Sequence, residues 1–585
     1  MSSAAWMAAN LVYRPLAAKS FRLLHVSSGE GSQPIYASLR HADLSDDQRP
    51  RYETISYAWG DPTPVAEILV NDQLLLVPAN TETVLKWVRH VDRERVPWID
   101  AVCINQVDIH ERSAQVVCMG GIYSGSSCNL VFLGMLEEDM TFRVLETIDD
   151  INQDASSDTD DFRSLGATLS NNGASLKWSA TPFAFKVDRD AEIALLELPL
   201  LRRLWVLQEV ALAPRNVALL GSIELELLDV LRAIRWDQYK EWNIKLSPAA
   251  TAGRSCGSRL FEFVDREHGW YAGSSVNISD LIQCGHIFEK TQLRDGVYAT
   301  AGLLSRDQVS NLRPDYTKPL AEVLAIATRS AIEESRNLWL FRDINHRDDD
   351  LDSGGIPSWA VRVDREWDGG VDGDGLPGDH GRSYTPAGVY PIDREDANLT
   401  ILHVQGIIVG SVDEVTPPLR NEFGQFCTFC ILLKGFCKAK AGLCDVSFRA
   451  VAEALIAGDR PDGTRADNRD IDAAQEFFTY LSEPREPAES ARAEHEAAAS
   501  CYFGHASNRC MFLNEGGKPG LGPRVMRKGD TVAALHGAPF PVVLRSDLQG
   551  RHQLVGPAYL QGIVHCEVEA IFHAMRDRET VFELR

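Results

Sequence analysis

A chain of 585 residues, 44% of them apolar, has the material for several globular domains, about three to four at roughly 150 residues each. Its 59 basic and 83 acidic residues leave a net charge of −24, which argues against general binding of nucleic acid or of an anionic membrane, since both need a cationic surface. No run approaches the roughly 18 apolar residues of a bilayer span, the opening MSSAAWMAANLVYRP lacks the regions of a secretion signal, and twelve scattered cysteines suit reduced thiols, so a cytoplasmic protein is expected.

In chain order, the first ~230 residues alternate strand-like and helix-like patterns, as in an α/β layer with a parallel sheet. Residues 52–57 read as a strand ended by the Trp59-Gly60-Asp61-Pro62 turn. EILV and QLLLV flank Asn71-Asp72, a two-residue hairpin signal. Asn80 is placed to cap a helix that carries Val84, Leu85 and Val88 on one face. VPWIDAV, 96–102, reads as a buried strand with Cys103 at its end. Asp108 and Glu111 have capping-box spacing, which predicts a helix over about 109–123 with Val116 and Met119 inward and Gly120-Gly121 weakening its end. CNLVFLG, 128–134, is another buried strand.

From about 137 to 192 the pattern dissolves into an acidic, Ser/Asp/Asn-rich stretch, expected to be a surface insertion. LRRLWVLQEVALA, 201–213, is then helical, with Leu201, Leu204, Trp205, Gln208 and Leu212 on one stripe and Glu209 one turn after Trp205. A first domain over 1–225 is thus followed by a mainly helical region at 226–367, a Gly/Asp-rich linker at 368–382 and a β-rich domain at 383–585, with a helical insertion near 446–500. Cys427, Cys430, Cys437 and Cys444 fall within one arc of a helix beside Ile431 and Leu433. They read as core cysteines, not as a metal site.

Several templates fail: there is no G-x-x-x-x-G-K-[ST], no G-x-S-x-G and no H-E-x-x-H. Cys103 near His110 is a poor nucleophile if it closes a buried strand. In an open parallel sheet, ligands collect at the carboxyl ends of strands. Tyr57, Trp59 and Asp61 follow the first strand and Asp100 lies in the second such segment, while the 201–213 helix supplies Glu209. Buried amides and carboxylates are costly without partners, so Asp100, Gln115, Gln208 and Glu209 beside Trp59, Trp98 and Trp205 point to a site. A carboxylate among aromatic rings can stabilise an oxocarbenium-like transition state, and Trp59 or Trp205 can stack on a base or a cationic ring. The same residues admit a plain alternative, in which Glu209 pairs with Arg112, Arg202 or Arg203 and the tryptophans are core.

The motifs resemble those of fungal heterokaryon-incompatibility (HET) domain proteins. Tyr13-Arg14-Pro15-Leu16 and Phe21-Arg22-Leu23-Leu24 are similar to the opening of that family, followed by Ser56-Tyr57-Ala58-Trp59-Gly60, by Trp98 to Gln106, by Glu111-Arg112, Gln115-Val116 and Ile122-Tyr123, and by Arg203-Leu204-Trp205-Val206-Leu207-Gln208-Glu209. The similarity extends to Arg294-Asp295-Gly296-Val297-Tyr298-Ala299, Pro314-Asp315-Tyr316, Pro357-Ser358-Trp359 and Gly556-Pro557-Ala558-Tyr559, as in a full-length member. Gly296 stands where a lysine is usual, and Val361-Arg362-Val363 replaces a usual Pro-Asp-Trp. The resemblance implies a part in allorecognition between filamentous fungi, where incompatible fusion triggers programmed cell death. A further similarity, of 52–57 and of Trp205-Val206-Leu207-Gln208-Glu209-Val210, is to the Toll/interleukin-receptor (TIR) fold. It implies a TIR-like parallel sheet flanked by helices, with Glu209 cleaving NAD at the nicotinamide–ribose bond and Tyr57, Trp59, Asp61, Asp100, Arg112, Trp205 and Gln208 around the substrate. NAD would be a substrate and no cofactor or metal is expected. The rival expectation is a non-enzymatic module that acts through self-association or another incompatibility protein.

Overall fold

The computed structural model describes residues 12–157, 183, 185–240, 244, 246–265, 276–305, 308, 312–363, 400–418, 448–456, 467–481, 506, 508–563 and 571–585. The expected linker at 368–382 and the four cysteines between 427 and 444 lie outside them. The chain divides into two compact units, the first made of Met1–Ser170, Lys177–Val276 and Gln283–Pro319, the second mainly of Leu320–Arg585.

In the first unit, β1 (Ser20–Val26), β2 (Tyr36–Asp43), β4 (Pro64–Val70) and β5 (Gln73–Pro78) form a four-stranded sheet. Between them in sequence, β3 (Glu53–Tyr57) opens a second sheet with β6 (Pro97–Trp98), β7 (Asn129–Gly134), β8 (Asn216–Leu220) and β9 (Ile223–Glu226). Its order is β6-β3-β7-β8-β9, parallel except for β9. The chain lays down β3, crosses to β6 on one side and returns to β7 on the other, so a topological switch point opens between β3 and β7. Strand β7 is buried at five of six positions, the apolar run expected of a parallel strand covered on both faces.

The helices of this unit include α1 (Ala79–Val88), α2 (Asp100–Cys103), α3 (Ile109–Ser124), α4 (Glu138–Ser157), α5 (Arg189–Leu196), α6 (Leu204–Leu212), α7 (Leu227–Lys240) and α8 (Pro248–Val264). Asn71 and Asp72 both take positive φ, 52° and 60°, as the tight β4–β5 turn requires. Asp108 caps α3 by accepting from the backbone N–H groups of His110 and Glu111. Glu111 does not complete the capping box, because its carboxylate is drawn to the buried guanidinium of Arg22, at 2.6 and 2.9 Å.

Three local expectations are corrected. The buried strand expected over 96–102 is two residues long: β6 pairs only with β3, and Asp100 accepts from its neighbour's backbone N–H at 2.7 Å, turning the chain into α2. Cys103 thus sits in a helical turn, buried, its thiol pushed up to about 12 by burial. Asn80 does not cap α1, whose N-cap is Pro78; its amide donates to the Ala58 carbonyl at 2.9 Å and so braces the turn after β3. Where the sequence reads as an unpatterned acidic insertion, α4 buries Val144, Ile148 and Ile151 on one stripe, and Asp188 caps α5 while pairing with Arg143 at 2.8 Å.

In the second unit, β10 (Leu402–Val415), β11 (Arg509–Asn514), β12 (Pro519–Pro523), β13 (Thr531–Leu535), β14 (Val542–Ser546), β15 (His552–Pro557), β16 (Tyr559–Leu560) and β17 (Thr580–Leu584) build one sheet in the order β13-β14-β15-β17-β10-β11-β12-β16. Strand β10 also pairs with β13, which closes the sheet on itself. It can serve β13, β17 and β11 because its register shifts at Ile408/Gly410 and Val412/Glu414 let it bend. Val412, Phe512, Val532, Val543, Val555 and Leu560 belong to the core inside. Within the span read as a helical insertion, Phe448–Leu455 and Asn468–Leu481 are helices. Among the described residues, no helix is long and apolar enough to cross a membrane.

Candidate functional site

At the carboxyl end of β3, the Tyr57 side chain is buried and its hydroxyl shares a hydrogen bond of 2.7 Å with Thr81 on α1. The chain then turns at Gly60, φ +65°, a conformation that favours glycine. This turn presents Trp59, whose indole N–H is shared between both carboxylate oxygens of Asp100 at 3.1 Å. Gln106 donates to the Asp100 carbonyl at 2.9 Å and secures the same loop. Arg203, just before α6, donates to the Tyr57 carbonyl. Trp59, Asp100 and Arg203 therefore converge at the carboxyl ends of β3 and β6. Burial raises the Asp100 carboxyl, against the opposing pull of Arg203, Trp59 and the Ala101 N–H.

Glu209 lies on α6 and is 5% exposed. Burial pushes its carboxyl up to about 7 and the charge of Asp100 adds to this, while Arg203 and the hydroxyls of Ser56 and Tyr123 pull it down. None of the arginines weighed from the sequence neutralises it. Arg112 stacks on the Tyr316 ring, 4.6 Å to the centroid, Arg202 pairs with Glu289 at 2.7 Å, and Arg203 is anchored on Tyr57. Among the described residues, Oε2 of Glu209, the Tyr123 hydroxyl and the Trp98 indole nitrogen are buried without a hydrogen-bond partner. Tyr123 packs edge-on against Trp98 at 5.5 Å. Ser56 and Tyr123 carry no role in the sequence reading, and Arg203 enters it only as a partner of Glu209 in the plain alternative. A tyrosine on the inner face of α3 was the available signal, since a buried hydroxyl seeks a partner.

Four of the expected site residues go elsewhere. Asp61 is exposed, and its carboxylate accepts from the backbone and hydroxyl of Thr63 at 2.9 and 2.6 Å. Trp205 donates its indole N–H to Asp295 at 3.0 Å, and Tyr316 donates to the other oxygen of Asp295 at 2.6 Å. With Arg112 on the Tyr316 ring, these residues form a second cluster that ties α6 to the Asp295–Tyr316 segment. Gln208 joins it by accepting from the Gly302 N–H at 2.9 Å. Burial raises the Asp295 carboxyl, opposed by Tyr316, Trp205, Arg112 and Arg203. Gln115 donates to the Ser20 carbonyl at 2.9 Å and is structural.

The arrangement around Glu209 can hold or release a proton near neutral pH and can oppose a positive charge that develops beside it, because the low-dielectric surroundings strengthen such an interaction. Among the described residues, no group of three or more His, Cys, Asp or Glu side chains is placed to hold a metal ion.

This fold and site define a class: an α/β unit with a carboxylate beside its switch point, joined to a unit built on a closed β-sheet. The model of the family described as Heterokaryon incompatibility protein (HET) matches residues 52–209, from the start of β3 to Glu209. That of the Het-6 beta-barrel domain matches residues 481–579, a span that leaves out β10 and β17, through which the sheet closes. The chain is also similar to "Heterokaryon incompatibility protein 6, OR allele" of Neurospora crassa, 25% identical with 91% of this chain and 92% of that protein covered. The chain thus carries one segment that matches the HET family and another that matches the Het-6 beta-barrel domain. No solved structure matches it.

Proposed function

We propose that this protein acts in heterokaryon incompatibility, as an allorecognition factor that triggers cell death, and that its first unit is a TIR-like domain that hydrolyses NAD with Glu209 as the reacting carboxylate. The observation that carries the reading is a carboxyl group, 5% exposed, that pairs with no basic side chain among the described residues and is pushed up to about 7 by burial. When the nicotinamide–ribose bond breaks, its electron pair stays with the nicotinamide nitrogen and positive charge builds on the ribose. Ionised Glu209, reinforced by the charge of Asp100, stabilises that charge. Water then adds to the ribose and gives up its proton to Glu209. Trp59, held by Asp100, is the ring this reading assigns to stack on the substrate; NAD is consumed and not retained.

The test is NAD turnover by the purified chain against Glu209→Ala and Glu209→Gln. A fall of about 100-fold or more supports the reading, with wild-type turnover rising through about pH 7 as the carboxyl ionises. Equal rates refute it.

A second reading is favoured by one observation, that the Trp59 and Trp205 indole N–H groups are both already engaged by carboxylates. The unit would then be an interaction module that works through a partner incompatibility protein or a second copy. Glu209→Gln keeps shape and removes charge, so killing retained by that variant selects this reading.

A further inference from the structure

Edge strands present unpaired backbone groups, and proteins guard them by burial, brevity or charge. In the first unit β1 is buried at all seven positions, β6 is buried and two residues long, and β9 carries Glu224 and Glu226 at exposed positions. Strand β5 has none of these guards: Gln73–Pro78 contains no charged residue, and Leu74 and Leu76 are 48% and 43% exposed. The two-residue β4–β5 turn makes Val70 and Gln73 a hydrogen-bonded pair, and Ile68 and Leu75 the next such pair. Leu74 and Leu76 therefore direct their backbone N–H and C=O groups away from β4. The far side of β4 agrees with this parity, since the N–H groups of Leu69 and Asn71 donate to the carbonyls of Ile35 and Ala37, each at 3.0 Å. Strand β5 ends its sheet, and no described residue answers the backbone groups of Leu74 or Leu76. Their side chains share a face with Leu69 and with Tyr36, which is 54% exposed, while Leu75 and Val77 are buried on the other.

We propose that β5 is a docking edge for a second copy of this chain, whose own β5 pairs with it antiparallel about a twofold axis through Leu75. In this register Leu74 of each copy lies opposite Leu76 of the other, and each such pair exchanges both of its outward N–H···O=C bonds. The leucine side chains then meet on one face and continue the apolar row of Leu69 and Tyr36 across the axis. Charge selects this occupant. The chain carries −24, so two copies repel over most of their surface, but here each offers the other an uncharged strand, and Asp72 at its end falls opposite Pro78. A strand rich in Lys or Arg finds no carboxylate on β5 to pair with. The contact is small, so the dimer is reversible and not obligate. This gives a surface to the self-association of the second reading above, and rests on that reading and not on Glu209.

Sedimentation of the full-length chain between about 1 and about 200 μM reads the dimer directly. The wild type should pass reversibly from monomer to dimer across that range. Leu76→Pro removes an N–H that β4 does not use, so the ladder stays intact while association weakens about 10-fold or more. Charge reads the register: Leu74→Lys with Leu76→Lys sets like charges face to face and abolishes the dimer, whereas Leu74→Lys with Leu76→Glu sets opposite charges face to face and keeps it. Should Leu76→Pro not fold, the two charge variants decide. A wild type that stays monomeric throughout, which would leave the edge to a strand of a different protein, overturns the proposal. So does a dimer that Leu76→Pro leaves intact, or a pair of charge variants that behave alike. None of these readouts uses NAD or killing. A dimer through β5 without NAD turnover keeps this inference and removes the catalytic reading; Glu209-dependent turnover by a chain that stays monomeric does the reverse.

Discussion

Replacing Glu209 by Gln turns the buried carboxyl into a neutral group of the same shape, and its effect on stability should depend on pH in a defined direction. The folded-state pKa stands at about 7 against an ordinary 4.5. Between those two values the folded protein binds a proton that the unfolded chain does not, so the wild type loses stability as pH rises across the window. Below about 4.5 both states are protonated and the penalty is absent; above about 7 it is complete. At about 1.36 kcal/mol per pH unit this reaches about 3 kcal/mol. Glu209→Gln escapes it, and Asp100 also ionises more easily once its acidic neighbour is neutral. Denaturant titrations followed by tryptophan fluorescence at half-unit steps from pH 4.5 to 8.5 give the difference between the two proteins. The gain of the variant should be smallest at pH 4.5 and grow by about 3 kcal/mol by pH 8. A difference that is flat with pH, or that turns against the glutamine as pH rises, refutes the assignment of Glu209 as a destabilised buried acid.

Arg22 is 1% exposed and its guanidinium binds Glu111 and the carbonyls of Cys103 and Arg14. Arg22→Ala strands a partly buried carboxylate and should cost ~3–5 kcal/mol in a denaturation experiment; a loss under about 1 kcal/mol would remove the pair from the structural account. At Gly302 an added Cβ would fall 2.4 Å from the Gln208 oxygen, so Gly302→Ala should cost ~1–3 kcal/mol by displacing Gln208. Loss of that cost in a Gln208→Ala background is the check. Asp295→Ala leaves the buried Tyr316 and half-buried Trp205 donors unpaired, at ~1–3 kcal/mol each. Restoration of most of the loss by adding Trp205→Phe and Tyr316→Phe tests the assignment.

Local features were legible because their causes lie within a few residues. Asn71-Asp72 needs only its own tolerance of positive φ, and Asp108 caps α3 with the N–H groups two and three residues on. Glu209, Asp100 and Trp59 stood out as polar or amphipathic residues in apolar segments. The failures share a different cause. Glu111 leaves its capping box for Arg22, Asn80 leaves α1 for Ala58, and the 96–102 strand stops because β6 has a two-residue ladder. Each outcome depends on a partner that the local pattern does not contain.

The residues alone carried the alternation of strands and helices in the first unit, the hairpin and cap, and the motifs over the segment that matches the HET family. Packing between distant segments chose the partner of each carboxylate. Trp59 meets Asp100 across 41 positions, and Trp205 is taken by Asp295 across 90 instead of joining Glu209. Asn129 on β7 likewise meets Thr54 and Ser56 of β3 and Asn216 of β8 only once these strands lie side by side. The physical reason is range: propensity and capping act along a few residues of chain, whereas burial and hydrogen-bond partnership, which set the charge state of Glu209, arise between segments that only the folded sheet brings together.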